Sequence, residues 1–180
     1  MLLRRLFHPA ILAALFVIAL NRPQLAQGSR QQDDTVQFNK WRNQAQTAFD
    51  KEMAREKAGD CPNANNTYEI NACLGKEAAI TASNYEAFVE ALRSLLELLN
   101  SEYPSDAIGP GKALTAGEVL KEFDQVEAAW NTYYHAQCSA VYNDYKGGTI
   151  APSMKMSCEL LLTRNRMREL NQIYDGELRH

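Results

Sequence analysis

A histidine can exchange protons near neutral pH, and the body of this 180-residue sequence carries one, His135. To act as acid or base it needs a nucleophile or carboxylate in reach. The nearest acid along its predicted helix is Glu127, two turns away, so His135 reads as a surface residue. No Ser-centred elbow, HExxH pair or calcium-loop acid series occurs. Gly109-Pro110-Gly111-Lys112 resembles a phosphate loop only in passing. It lacks the first glycine at the right spacing, and Ala113 stands where a Ser or Thr must hold magnesium. The expectation is therefore no enzyme, no cofactor and no metal.

Cysteines give a stronger signal. Cys61, Cys73, Cys138 and Cys158 allow three pairings. Their spacing lacks CxxC pairs or histidine partners, which argues against zinc. Cys61 with Cys73 and Cys138 with Cys158 are favoured because both close short local loops. Each loop is worth about 3 kcal/mol in the chain-entropy model.

Disulfides imply an oxidising compartment, and the N-terminus agrees. Arg4 and Arg5 precede an uncharged apolar run over residues 11–20. Ten residues are too few to cross ~30 Å of hydrocarbon as a helix. Residues 1–26 thus read as a signal peptide, with Ala19 or Ala26 ending the candidate cleavage sites; an uncleaved anchor is the alternative. No second hydrophobic segment suggests a membrane span. Three of the 19 Lys and Arg residues lie before residue 27, leaving 16 against 22 acidic residues, a formal net charge of −6. That balance disfavours nucleic acid and suits a basic partner.

Helices must position these residues. Residues 27–34 read as a flexible lead-in. Residues 35–58 carry a thin apolar stripe through Val36, Trp41, Ala45, Ala48, Phe49 and Met53, and Gly59 stops it. Asn66 and Glu69 predict a helix start at Thr67, running to about Asn100 through Phe88, Leu92, Leu95 and Leu96. Residues 101–114 read as a connecting loop. Thr115 and Glu118 open a third helix, with Val119, Leu120, Phe123, Val126, Trp130, Tyr133, Cys138, Val141 and Tyr142 as its apolar residues. Lys146-Gly147-Gly148 ends it. Ser153 caps a fourth helix to about Tyr174, with Cys158, Leu161, Leu162, Leu170 and Ile173 facing inward. No β pattern appears. The fold expected is all-α: a signal peptide over 1–26, a lead-in and N-terminal helix over 27–60, and a helical domain over 61–180. Together they form a bundle of about four helices stapled by two disulfides.

Residues 123–138 read FDQVEAAWNTYYHAQC, and Cys158 opens CELLLTRNRMREL. With Cys61 and Cys73 upstream, this resembles the LprI-type lysozyme-inhibitor family of bacterial envelope proteins. Gln125, Trp130, Tyr133, Cys138, Gly147, Gly148, Cys158, Thr163 and Arg166 occupy the family's motif places, over residues 61–174. The family commonly places Arg four residues after the Trp, then an acid; here stand Tyr134 and His135. Its Asp-x-x-Leu-Asn segment is blurred to Ala82-Ser83-Asn84-Tyr85.

The resemblance implies a non-enzymatic, periplasmic or secreted protein whose partner is a basic muramidase. The alternative is a structural or adaptor module binding another envelope protein. The candidate contact surface is the hairpin tip over residues 143–152. There Tyr145, Lys146, Gly147, Gly148 and Thr149 would be pre-organised by the disulfide, with Tyr134 as a second exposed anchor. Arg164, Arg166 and Arg168 are spaced by two and form no single basic face; Arg166 is expected to pair with Glu127 or Glu169.

Overall fold

The structure, a computed structural model, describes residues 22–102 and 114–179. The apolar run over residues 11–20, residues 103–113 of the expected connecting loop and His180 lie outside them, while residues 101–102 of that loop are the last of a helix. Among the described residues there are helices and no strands. They are α1 (Arg22–Ala58), α2 (Thr67–Glu102), α3 (Ala116–Asp144), α4 (Ala151–Ile173) and the short α5 (Asp175–Arg179). The chain divides into two compact units, Met1–Gln37 and Phe38–His180. In the first, the described residues are the opening turns of α1; the packing below concerns the second.

Each boundary has a chemical cause. Gly59 leaves α1 with φ +84°, and its N–H bonds the Glu56 carbonyl at 3.0 Å. Asn66 caps α2 by accepting from the Glu69 N–H at 3.0 Å. The Glu69 carboxylate accepts from the N–H of Asn65 rather than of Asn66. Thr115 and Glu118 make the full reciprocal cap on α3. Between α3 and α4, Gly147 takes φ +96°, a backbone region that a side chain disfavours.

Three sequence expectations give way. Residues 27–34 are helical, because no proline interrupts Gln- and Arg-containing sequence between Pro23 and Pro62. Pro152, whose φ is pre-set for a first turn, lets α4 begin at Ala151; Ser153 sits inside that turn and donates to the Ile150 carbonyl at 2.8 Å. Val36, Val126, Tyr133, Tyr142, Leu161 and Ile173 are exposed. On α3 the inward stripe is Leu120, Phe123, Glu127, Trp130, Tyr134 and Cys138, so polar Glu127 takes a place that hydrophobicity alone assigns to Val126. On α4 it is Leu160, Thr163, Arg164, Met167 and Leu170, leaving Leu161 turned aside.

The core follows from these stripes. α2, α3 and α4 pack on one another, and α5 packs on α4. Phe88, Leu92 and Leu95 of α2 meet Phe123 of α3, Met167 and Leu170 of α4 and Leu178 of α5. α1 closes this core with Ala45 and Ala48, and Phe49 approaches Phe88 with ring centres 6.0 Å apart. Full burial of such a side chain contributes roughly 1.5–3 kcal/mol, so the core is concentrated in the second half of α2.

Candidate functional site

The two disulfides form as the loop lengths predict, Cys61–Cys73 and Cys138–Cys158, with Cα separations of 5.8 and 5.6 Å. The first ties the turn after α1 to the opening of α2. The second joins α3 to α4 below the hairpin tip. One hydrogen bond brings the two together: Asn71 Nδ2 on α2 donates to the Thr149 carbonyl at 3.3 Å. The tip is therefore held at its base by a disulfide and from the side by α2.

At that tip Tyr145, Lys146, Gly147, Gly148 and Thr149 are all exposed. Gly148 N–H bonds the Tyr145 carbonyl at 3.0 Å, so the loop is hydrogen-bonded within itself. Tyr142 and Ile150 are exposed beside it. Tyr68, near the start of α2, is 83 % exposed, the largest exposure of a big apolar side chain among the described residues. Tyr134 does not belong to this surface. It is half-buried in the middle of α3, where its ring stacks on Trp130 at 5.2 Å and its hydroxyl bonds Thr163.

Trp130 instead anchors an aromatic ladder. Tyr85 of α2 lies 5.0 Å away on one side and Tyr134 on the other, with His135 edge-on to Tyr134. Below the ladder, Arg166 donates to Glu127 at 2.5 Å and to Glu169 at 2.7 Å. Tyr85 donates its hydroxyl to the same Glu127. Both expected partners of Arg166 are thus engaged. The Arg166–Glu127 pair is nearly closed to solvent, not a surface bridge. Burial and the Glu127 carboxylate push the Tyr85 phenol well above its ordinary range.

Of the motif residues, Trp130, Thr163 and Arg166 come together here, while Gln125 and Tyr133 lie on the outer surface. His135, Glu86 and Glu127 line an open cleft of about 410 Å³ beside the ladder. Glu127 is already committed to Tyr85 and Arg166. No cluster of three or more His, Cys, Asp or Glu residues suited to a metal occurs among the described residues.

A second polar cluster was not foreseen in the sequence. The Glu52 carboxylate of α1 is fully buried. It accepts from Thr81 Oγ1 at 2.6 Å, Asn84 Nδ2 at 2.7 Å and Arg164 Nε at 2.9 Å. Arg164 in turn grips Asp60 through both terminal nitrogens, at 2.6 and 2.8 Å. Burial alone would raise the pKa of Glu52; the three hydrogen bonds and the Arg164 charge reverse this and hold it below the ordinary carboxylate value. Asn84, in the blurred motif segment, therefore has a structural task. Arg168 reaches Glu56 of α1, so the three arginines of α4 engage separate sets of acids, five carboxylates in all.

No helix among the described residues is long and apolar enough to cross a membrane. Comparison with curated proteins and with solved structures returns no match. A family model, lysozyme inhibitor LprI, matches residues 58–170. That span holds both disulfides, the stapled tip, the Trp130 ladder and all three α4 arginines, and this chain belongs to the LprI lysozyme inhibitor family.

Proposed function

We propose that this chain is an exported, non-enzymatic protein of the bacterial envelope that inhibits a basic lysozyme through the stapled tip between α3 and α4. The family match over residues 58–170 carries the inhibitor reading. The four disulfide cysteines and the apolar run at residues 11–20 support export. For the contact surface, the support is the exposure of Tyr145, Lys146 and Thr149 on a loop that a disulfide and Asn71 hold in place. A loop fixed before binding loses less entropy on contact. A muramidase cleft holds two carboxylates, and the Lys146 ammonium is the complementary charge at the tip.

The test adds the oxidised protein to hen-type lysozyme acting on bacterial cell walls. Dose-dependent loss of lysis is expected, abolished by Lys146→Ala with Thr149→Ala. Thr149 serves the fold through its backbone carbonyl, so removing its hydroxyl probes contact alone. Unchanged inhibition by the double variant would remove the tip from the proposal. No inhibition at large molar excess would instead favour an adaptor that binds another envelope protein.

A further inference from the structure

The cleft beside the aromatic ladder runs between α2 and α3. Its walls are the rings of Tyr85, Trp130 and Tyr134, with Glu86, Asn131 and His135 at its rim. These last three are exposed. Asn131 and His135 stand one turn apart on α3, as Ala82 and Glu86 do on α2, so the trough follows both helices. No Lys or Arg is among the residues that line it. Glu127, on its wall, is neutralised by Arg166. Glu86 has no such partner on its own helix: three and four residues away stand Ala82, Ser83, Val89 and Glu90, none of them basic. The cleft therefore joins electron-rich rings to a carboxylate without a counter-charge, the two features that attract an organic cation.

We infer that this cleft takes an arginine side chain of the basic partner, as a second contact besides the stapled tip. The partner's identity rests on the inhibitor reading; the chemistry of the bound group rests on the cleft alone. A guanidinium is planar, so it can lie along the rings while its N–H groups donate in pairs to Glu86 and to the Asn131 side-chain oxygen. A lysine ammonium meets the same charge without the flat contact or the paired donation. An anion would face Glu86 with no cation to receive it. A neutral sugar needs an open ring face, and Trp130 already has Tyr85 and Tyr134 against it. The position also fits. From His135 to the end of α3 is about 14 Å, whereas a standard interface of about 800 Å² per partner is roughly 30 Å across. One partner can therefore cover tip and cleft together, and arginine is prominent among the few residues that dominate such interfaces.

The test uses Trp130 as the reporter. The chain has two tryptophans, so Trp41→Phe leaves the indole of the cleft alone. Titrating this oxidised protein with N-acetylarginine methylamide should change its fluorescence saturably, at about millimolar concentration. The uncharged citrulline analogue should not. Glu86→Gln, at an exposed site, should weaken the arginine probe about threefold. Glu90→Gln makes the same charge change one turn along α2, exposed and off the cleft, and should leave the probe unaffected. Against hen-type lysozyme, Glu86→Gln should weaken binding about tenfold. A probe without saturable effect would overturn the inference, as would an equal response to citrulline or equal weakening by both substitutions. Lysozyme binding unchanged by Glu86→Gln would overturn it too, and would leave the tip to its own test through Lys146. A saturable probe without lysozyme binding would keep the cleft as an arginine site and overturn the inhibitor reading instead.

Discussion

Glu52 shows how a single carboxylate can set the acid limit of a bundle. Its charge is stable in the core because Thr81, Asn84 and Arg164 donate to it. The unfolded chain offers none of these donors, so the folded pKa lies below the unfolded one. The resulting stabilisation is complete above the unfolded value of roughly 4.3 and is lost as pH falls from there through the folded pKa. Glu52→Gln leaves Arg164 with Asp60 alone. It should lower stability by about 3 kcal/mol at neutral pH and flatten the acid limb of a pH series of urea titrations. An acid limb as steep in Glu52→Gln as in the parent protein would assign the acid response elsewhere. This cluster was partly visible in the sequence. Thr81 and Asn84 extend the 88–92–95 stripe of α2 backwards, and Glu52 follows Ala45 and Ala48 on α1. Polar residues at three inward positions are a sign of a buried network. What the sequence hid was their meeting place, since 112 residues separate Glu52 from Arg164.

Among the elements, the starts of α2 and α3 were the most legible. The caps at Asn66 and Thr115 use side chains three residues from their targets, and local chemistry of that kind is written in the sequence. The inward face of α3 was less so. Val126 and Tyr133 scored as core by hydrophobicity, yet Glu127 takes the inward place because Arg166 and Tyr85 satisfy it there. A tertiary partner thus overrode the pattern. The disulfide-closed hairpin also fixes what its glycines do. Gly147 sits at φ +96° with open space around its Cα, so Gly147→Ala should cost about 1 kcal/mol through backbone strain alone. Gly117, near the start of α3, also faces open space but without a positive φ. There Gly117→Ala should raise stability by about 0.5 kcal/mol. Thermal or urea unfolding of the two variants would show opposite shifts; shifts of the same sign would contradict the turn geometry.

At the scale of the molecule, charge and contact are assigned to different places. Residues 27–180 carry a net −6, whereas the proposed contact tip carries the cation Lys146. Long-range attraction to a basic muramidase would then come from the acidic body, and short-range fit from the tip. These contributions separate kinetically. Steering by the body raises the association rate and is screened as the Debye length shortens to about 8 Å at 0.15 M ionic strength. The association rate should fall roughly tenfold from low salt to that ionic strength, with the dissociation rate nearly constant. Glu90→Lys with Glu122→Lys, both exposed and distant in sequence from the tip, should reduce that salt dependence and leave dissociation unchanged. Lys146→Ala should do the reverse, speeding dissociation while the salt slope persists. Stopped-flow or surface-capture kinetics at several ionic strengths distinguishes the two. An association rate indifferent to salt would remove the acidic body from recognition and leave the tip as the surface through which this fold meets its partner.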